Sequence, residues 1–154
     1  MSRLQEGDAA PDFSLMDQSG HAVSLADLAG QRTLVYFYPQ DDTPGCTAQA
    51  CGFNDELAAL NAMRVRVVGI SPDSSESHTA FREKYHLGFT LLSDPERVVM
   101  EAYGAYGEKM MYGKRVTGVI RSTFLISPTG IVEKAFYNVR ATGHVARIMK
   151  ELAD

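Results

Sequence analysis

The chain has 154 residues, 45% of them apolar and 22% charged, and a formal net charge of −4. That length suits one domain, residues 1–154, with a real core, and the composition excludes collagen-like, disordered and membrane-embedded classes. The basic residues are scattered rather than gathered, which excludes a track for nucleic acid, and every apolar stretch is too short or too broken by charge to span a bilayer.

Residues 1–11 include Glu6 and Asp8 and lack the basic start and apolar run of a secretory leader, so the chain reads as cytoplasmic. Ser19-Gly20 marks the turn of a small N-terminal hairpin. Residues 33–38 and 65–70 are short, β-branched or aromatic runs bounded by Pro or Gly, the pattern of buried central strands. Between them, 46–61 reads as one helix with Phe53, Leu57 and Leu60 on its apolar face, giving a βαβ unit whose crossover is expected to be right-handed. A helix over 75–85, a short strand over 90–93 and a helix near 97–103 follow. The glycine-rich stretch 104–118 reads as a loop with one or two extended pieces. Residues 122–126 and 131–136 form a hairpin around Pro128-Thr129-Gly130, and 145–152 a last helix that His144 introduces from the surface. The order predicts an α/β fold: a central mixed sheet flanked by helices on both faces, with an N-terminal β-hairpin extension.

The two cysteines, Cys46 and Cys51, are five residues apart. A permanent staple closing so small a loop would be unusual in a reducing compartment, and the four histidines have no ligand-like spacing to the pair, so it reads as reactive rather than architectural. The segment from Tyr38 to Cys46 leaves the carboxyl end of a central strand and enters a helix, where open α/β sheets bind ligands. Thr43 suits the N-cap and Pro44 the first helical position, which places Cys46 in the first turn. There the unpaired N–H groups and the positive end of the helix dipole favour thiolate over thiol. On an intact helix, Cα atoms five residues apart are ~8.7 Å apart, beyond the roughly 7 Å that a disulfide spans. Bridging Cys46 to Cys51 therefore requires part of the helix to unwind.

The run Pro39-x-x-x-Thr43-x-x-Cys46 resembles the active-site signature of peroxiredoxins. The second cysteine five residues on, the opening Gly7 to Phe13 and the segment from Lys109 to Ile126 are similar to the peroxiredoxin Q, or bacterioferritin comigratory protein, subfamily. The resemblance covers nearly the whole chain and implies a thioredoxin-like fold. It also implies site roles: Cys46 as the peroxidatic cysteine, Cys51 as the resolving cysteine, Thr43 as the hydroxyl that orients peroxide and thiolate, Pro39 as the ring shielding the sulfur, and Arg121 as the cation that holds the thiolate and polarises the O–O bond. The implied cycle uses no metal, flavin or nucleotide, and takes its electrons from thioredoxin or glutaredoxin. Local pairing of the cysteines makes no demand for a second subunit, so a monomer is expected.

Two departures from the family stand out. Gln49 replaces the glutamate that many relatives carry, and Asp41 and Asp42 bring negative charge toward the sulfur if they point inward. Both aspartates are expected to be exposed on their loop. A rival reading, a redox-sensing thioredoxin-like module that uses the same disulfide as a switch, stays open at this level. A thiol–disulfide oxidoreductase is disfavoured because no Cys-x-x-Cys occurs.

Overall fold

The computed structural model describes residues 3–153. Seven strands form one mixed sheet in the order β2-β1-β5-β4-β3-β8-β9. Its centre is β3 (Arg32–Phe37), parallel to β4 (Val65–Ser71) on one side and antiparallel to β8 (Ser122–Ile126) on the other. The strand β5 (Thr90–Ser93) continues the parallel part, and β9 (Val132–Tyr137) closes the far edge. The N-terminal hairpin, β1 (Ser14–Asp17) and β2 (Ala22–Ser24), adds antiparallel to β5.

Alternation along the central strands divides the core in two, as the period of a strand dictates. Leu34, Tyr36, Val65, Val67, Leu91 and Leu125 face one cluster. It is covered by α1 (Pro44–Asp55), α2 (Leu57–Ala62), α3 (Ser75–Tyr85) and α5 (His144–Ala153), through residues such as Phe53, Leu60, Phe81 and Ile148. Val35, Phe37, Val68, Ile70, Leu92 and Phe124 face the other cluster. There Met100 of α4 (Val98–Ala102), Tyr103 and Phe13 fill the space. Helices thus lie on both faces, as the strand composition requires.

Where sequence and structure differ, the reason is local. The helix expected over 46–61 starts at Pro44 and is interrupted at Glu56, whose φ of −95° and ψ of 3° separate α1 from α2. The glycine-rich stretch, expected as a loop with one or two extended pieces, has two such pieces, and they pair as a second sheet, β6 (Tyr106–Met111) and β7 (Lys114–Val119). Tyr112 and Gly113 turn it with positive φ, the two-residue turn whose twist matches a hairpin. A 3-10 turn over Ala26–Leu28 was not anticipated. Among the described residues no helix is long and apolar enough to cross a membrane.

Gly69 faces the cluster of Tyr36 and Leu91, and a Cβ there would lie 2.9 Å from Cζ of Tyr36 and 2.9 Å from Cδ2 of Leu91. Both neighbours are fully buried and cannot swing away. Gly69→Ala is expected to cost about 1–3 kcal/mol, read as a lower urea midpoint at unchanged slope.

His144 is buried, not at the surface as the sequence suggested, and its Nε2 lies 2.9 Å from the Thr123 hydroxyl. Burial, aided by nearby Arg147, lowers its pKa from the ordinary 6.5 to about 4. The folded chain therefore binds fewer protons than the unfolded one between these values. The contribution is fully present above pH 6.5 and disappears as pH falls to about 4. A His144→Gln variant is expected to show a shallower fall in melting temperature across this window, which calorimetry at stepped pH measures.

Candidate active site

The β3 strand ends at Phe37, and the chain turns through 38–43 before α1 begins at Pro44. Thr43 has the extended backbone of an N-cap, φ −91° and ψ 156°, and its carbonyl accepts from the Thr47 N–H at 2.8 Å. Its hydroxyl does not cap the helix; it donates to the Gln40 carbonyl at 3.0 Å. The Thr43 side chain therefore does not cap α1, whose positive end is left for an anion. Cys46, in that first turn, is 1% exposed.

Arg121 reaches this sulfur from 75 residues away. Phe37 pairs with Ser122 across β3 and β8, so the residue before Ser122 stands beside the loop that leaves β3. The Arg121 backbone is held there by the Val139 N–H, which donates to its carbonyl at 3.0 Å. The guanidinium Nη2 is 3.1 Å from Cys46 Sγ, and Nη1 donates to Gln49 Oε1 at 3.0 Å. Cys46 and Gln49 are three apart on α1 and share its inward face. One planar cation thus bridges the sulfur and a buried amide, a use that suits arginine better than lysine.

Two residues without an assigned role in the sequence make this approach work. A Cβ on Gly45 would lie 3.0 Å from Arg121 Nη2 and 3.3 Å from the Ala141 Cβ, so any larger residue would make the cation or Ala141 give way by a few tenths of an ångström. Gln49 was noted only as a departure, yet it is fully buried and supplies the acceptor that orients the guanidinium. The amide keeps the cation's charge free to act on the sulfur, whereas a buried glutamate would neutralise part of it. Nothing in the local sequence singled out Gly45, and Gln49 was marked only by its departure from the family.

Pro39 lines a cleft of about 370 Å³ with Pro72, Arg97, Lys109, Met111 and Val116. Lys109 donates to the Val119 carbonyl at 2.6 Å, and burial together with the nearby Arg121 holds its amine below the usual lysine range. Cys51 sits half-buried on the same unbroken helix as Cys46, and both are free thiols. Burial, and then the charge of Asp55, pushes the Cys51 thiol up.

The two aspartates part company. Asp42 is exposed as expected, and pairs with Lys84 at 2.7 Å and with the Tyr85 hydroxyl at 2.7 Å. Asp41 instead points inward and is buried, because His78 and the hydroxyls of Tyr38 and Ser77 receive it. Tyr36, beneath them, has its phenol raised well above the ordinary value by burial first and then by Cys46 and Asp41. Among the described residues its hydroxyl has no hydrogen-bond partner.

Residues 6–135 match the AhpC/TSA family model. The chain belongs to the AhpC/TSA family. A Mycobacterium tuberculosis protein is 55% identical over 152 residues, 99% of this chain and 97% of its own. Peroxiredoxin Bcp of Escherichia coli K12 is 48% identical over 144 residues, 94% of this chain and 92% of its own. Among solved structures, a variant of Xylella fastidiosa PrxQ superposes with a TM-score of 0.91 at 33% identity, covering 99% of this chain and 98% of that one. The bacterioferritin comigratory protein of Xanthomonas campestris, whose trapped intermediate and ligand complexes concern alkyl peroxide reduction, gives 0.85 at 37% identity and covers 92% and 90%. This AhpC/TSA member is a thiol-dependent peroxidase of the peroxiredoxin Q group, with the thioredoxin-like fold of its neighbours. Its substrate is a peroxide and its reductant a thiol.

Proposed function

We propose that Cys46 is the sulfur that breaks the peroxide, and that Cys51 resolves the product within the same chain. The observation that carries this reading is the Arg121 guanidinium 3.1 Å from Cys46 Sγ at an uncapped helix start. The thiolate attacks the terminal oxygen of ROOH; the S–O bond forms as the O–O bond breaks, and the departing RO⁻ takes a proton to leave as water or alcohol. Arg121 stabilises both the starting thiolate and the charge that grows on the departing oxygen. The Thr43 hydroxyl, its proton committed to the Gln40 carbonyl, presents lone pairs that accept the peroxide proton. Pro39, on the wall of a neighbouring cleft, takes the role of the ring that shields the sulfur.

The sulfenic acid of Cys46 then condenses with Cys51, releasing water and forming the disulfide, which spares the sulfur from further oxidation. Both cysteines ride one helix, so its central turns unwind for the sulfurs to meet. The raised Cys51 thiol keeps the resolving group protonated until that opening exposes it to solvent. Thioredoxin, or glutaredoxin, reopens the disulfide by exchange. The chain works as a single-domain monomer in this reading, since one subunit supplies both sulfurs. Likeness to the Xanthomonas protein adds alkyl hydroperoxides to hydrogen peroxide as substrates.

A thioredoxin-coupled assay with hydrogen peroxide and an alkyl hydroperoxide tests the cycle. Turnover is expected with both, and Cys51→Ser should consume about one equivalent of peroxide and stop without a second thiol. Sustained thioredoxin-driven turnover by Cys51→Ser would remove Cys51 from its assigned role.

A further inference from the structure

Asp41 and His78 form a buried pair for which the peroxidase cycle has no part. Their relative exposures are 8% and 0%. His78 Nε2 lies 3.0 Å from the carbonyl oxygen of Leu92, which can only accept, so Nε2 carries a hydrogen. Nδ1 lies 2.7 Å from Asp41 Oδ2. Neither an imidazole lone pair nor a carboxylate oxygen can donate, so this contact holds a second proton, and the pair as a whole carries no net charge.

Two hydroxyls donate to the Asp41 carboxylate, and a second carboxylate, Asp73, stands within 4.8 Å of the pair and is held by donors of its own. The Tyr38 hydroxyl donates to Oδ1 at 2.6 Å and the Ser77 hydroxyl to Oδ2 at 2.8 Å. The Asp41 N–H donates to Asp73 Oδ2 at 2.7 Å, and the Ser71 hydroxyl donates to the same oxygen at 2.7 Å. Residues 38–41 are thereby tied to β4, α3 and β5, and they lead directly into Thr43 and Cys46. Tyr38, which donates to Asp41, stacks on Tyr36 at 5.4 Å between ring centroids, and both rings share one buried cluster with Cys46, so Asp41 and the sulfur border one poorly screened region.

We propose that His78 is a positioning residue for the peroxidase site: the proton it shares with Asp41 pins the 38–43 loop and cancels a buried negative charge that would otherwise oppose the Cys46 thiolate. Without that proton Asp41 is a like charge bordering the same buried region as the reacting sulfur, and the site loses part of the thiolate it depends on. The inference rests on Cys46 being the attacking sulfur, which Cys46→Ser tests separately.

The test uses the full chain in a Cys51→Ser background, so that ultraviolet thiolate absorbance and a single oxidation both report Cys46. His78→Asn keeps a donor facing Asp41 but cannot supply the second proton. It is expected to lower both the neutral-pH thiolate signal and the rate constant for peroxide by about tenfold. Adding Asp41→Asn removes the stranded charge and is expected to recover most of both losses. A purely structural role predicts the reverse, with the double variant no faster than His78→Asn. An unchanged rate in His78→Asn, or no recovery in the double variant at equal helix content, overturns the proposal. Should His78→Asn fail to fold, the unsubstituted chain still decides the matter. The nitrogen shifts of His78 and the carboxyl carbon shift of Asp41 are expected to show two protons on the pair, one on Nε2 and one in the contact between Nδ1 and Oδ2, and a neutral imidazole beside an ionised Asp41 overturns it.

Discussion

Replacing Cys46 by serine is expected to abolish peroxide turnover while leaving the fold in place. A serine hydroxyl is not ionised at neutral pH, and the helix start and guanidinium that favour a thiolate cannot bring an alcohol into that range. Nor does oxygen have a counterpart to the sulfenic acid, so the step that Cys51 completes has no substrate. The packing change is small, because serine nearly matches the buried cysteine in volume and can still accept from Arg121 Nη2. Peroxide consumption with thioredoxin, measured beside the helix signal and the melting temperature, checks the expectation. Turnover retained by Cys46→Ser would place the attacking group elsewhere.

Arg121→Met is the second large effect expected, a loss of about 10²–10³-fold in the rate constant for peroxide. The guanidinium contacts the sulfur directly and also donates to Gln49, so its removal withdraws the cation and frees the amide together. Methionine preserves most of the apolar stem, which separates the loss of charge from a loss of packing. Arg121→Lys restores charge without the two-pronged donor and should recover only part of the rate. Rapid-mixing kinetics at several peroxide concentrations, with the thiolate absorbance recorded for each variant, read both contributions. A loss below about threefold would mean that the helix start alone supports the reacting sulfur, contrary to the usual size of such a contribution.

Strands β4, β5 and β8 are legible in the sequence to within a residue or so, because each is a short apolar run that only a doubly covered sheet can bury. The break at Glu56 was not, since Leu57 and Leu60 continue the spacing that Phe53 begins and a kink leaves the apolar stripe intact. That the extended pieces of 104–118 pair as the β6–β7 hairpin was not legible for a related reason. Its strands bury little, so Met110, Met111 and Tyr112 stand exposed where a core strand would alternate. The choice between an enzyme and a redox switch on the same cysteines was likewise open in the sequence; family membership decided it for the peroxidase.

What the sequence determined alone was the local chemistry: a threonine, a proline and a cysteine at the spacing that starts a helix, with a second sulfur too far along that helix to meet the first unless it opens. Such features depend on residues within one or two turns of each other, and local backbone preference is enough to place them. Tertiary structure alone decided the charges around the sulfur. Arg121 arrives through the β3–β8 register, Gly45 and Gln49 acquire their importance from its arrival, and Asp41 turns inward because α3 brings His78 beneath the loop. The physical reason is that a charge's effect depends on what packs over it, and the elements that pack here come from widely separated parts of the chain.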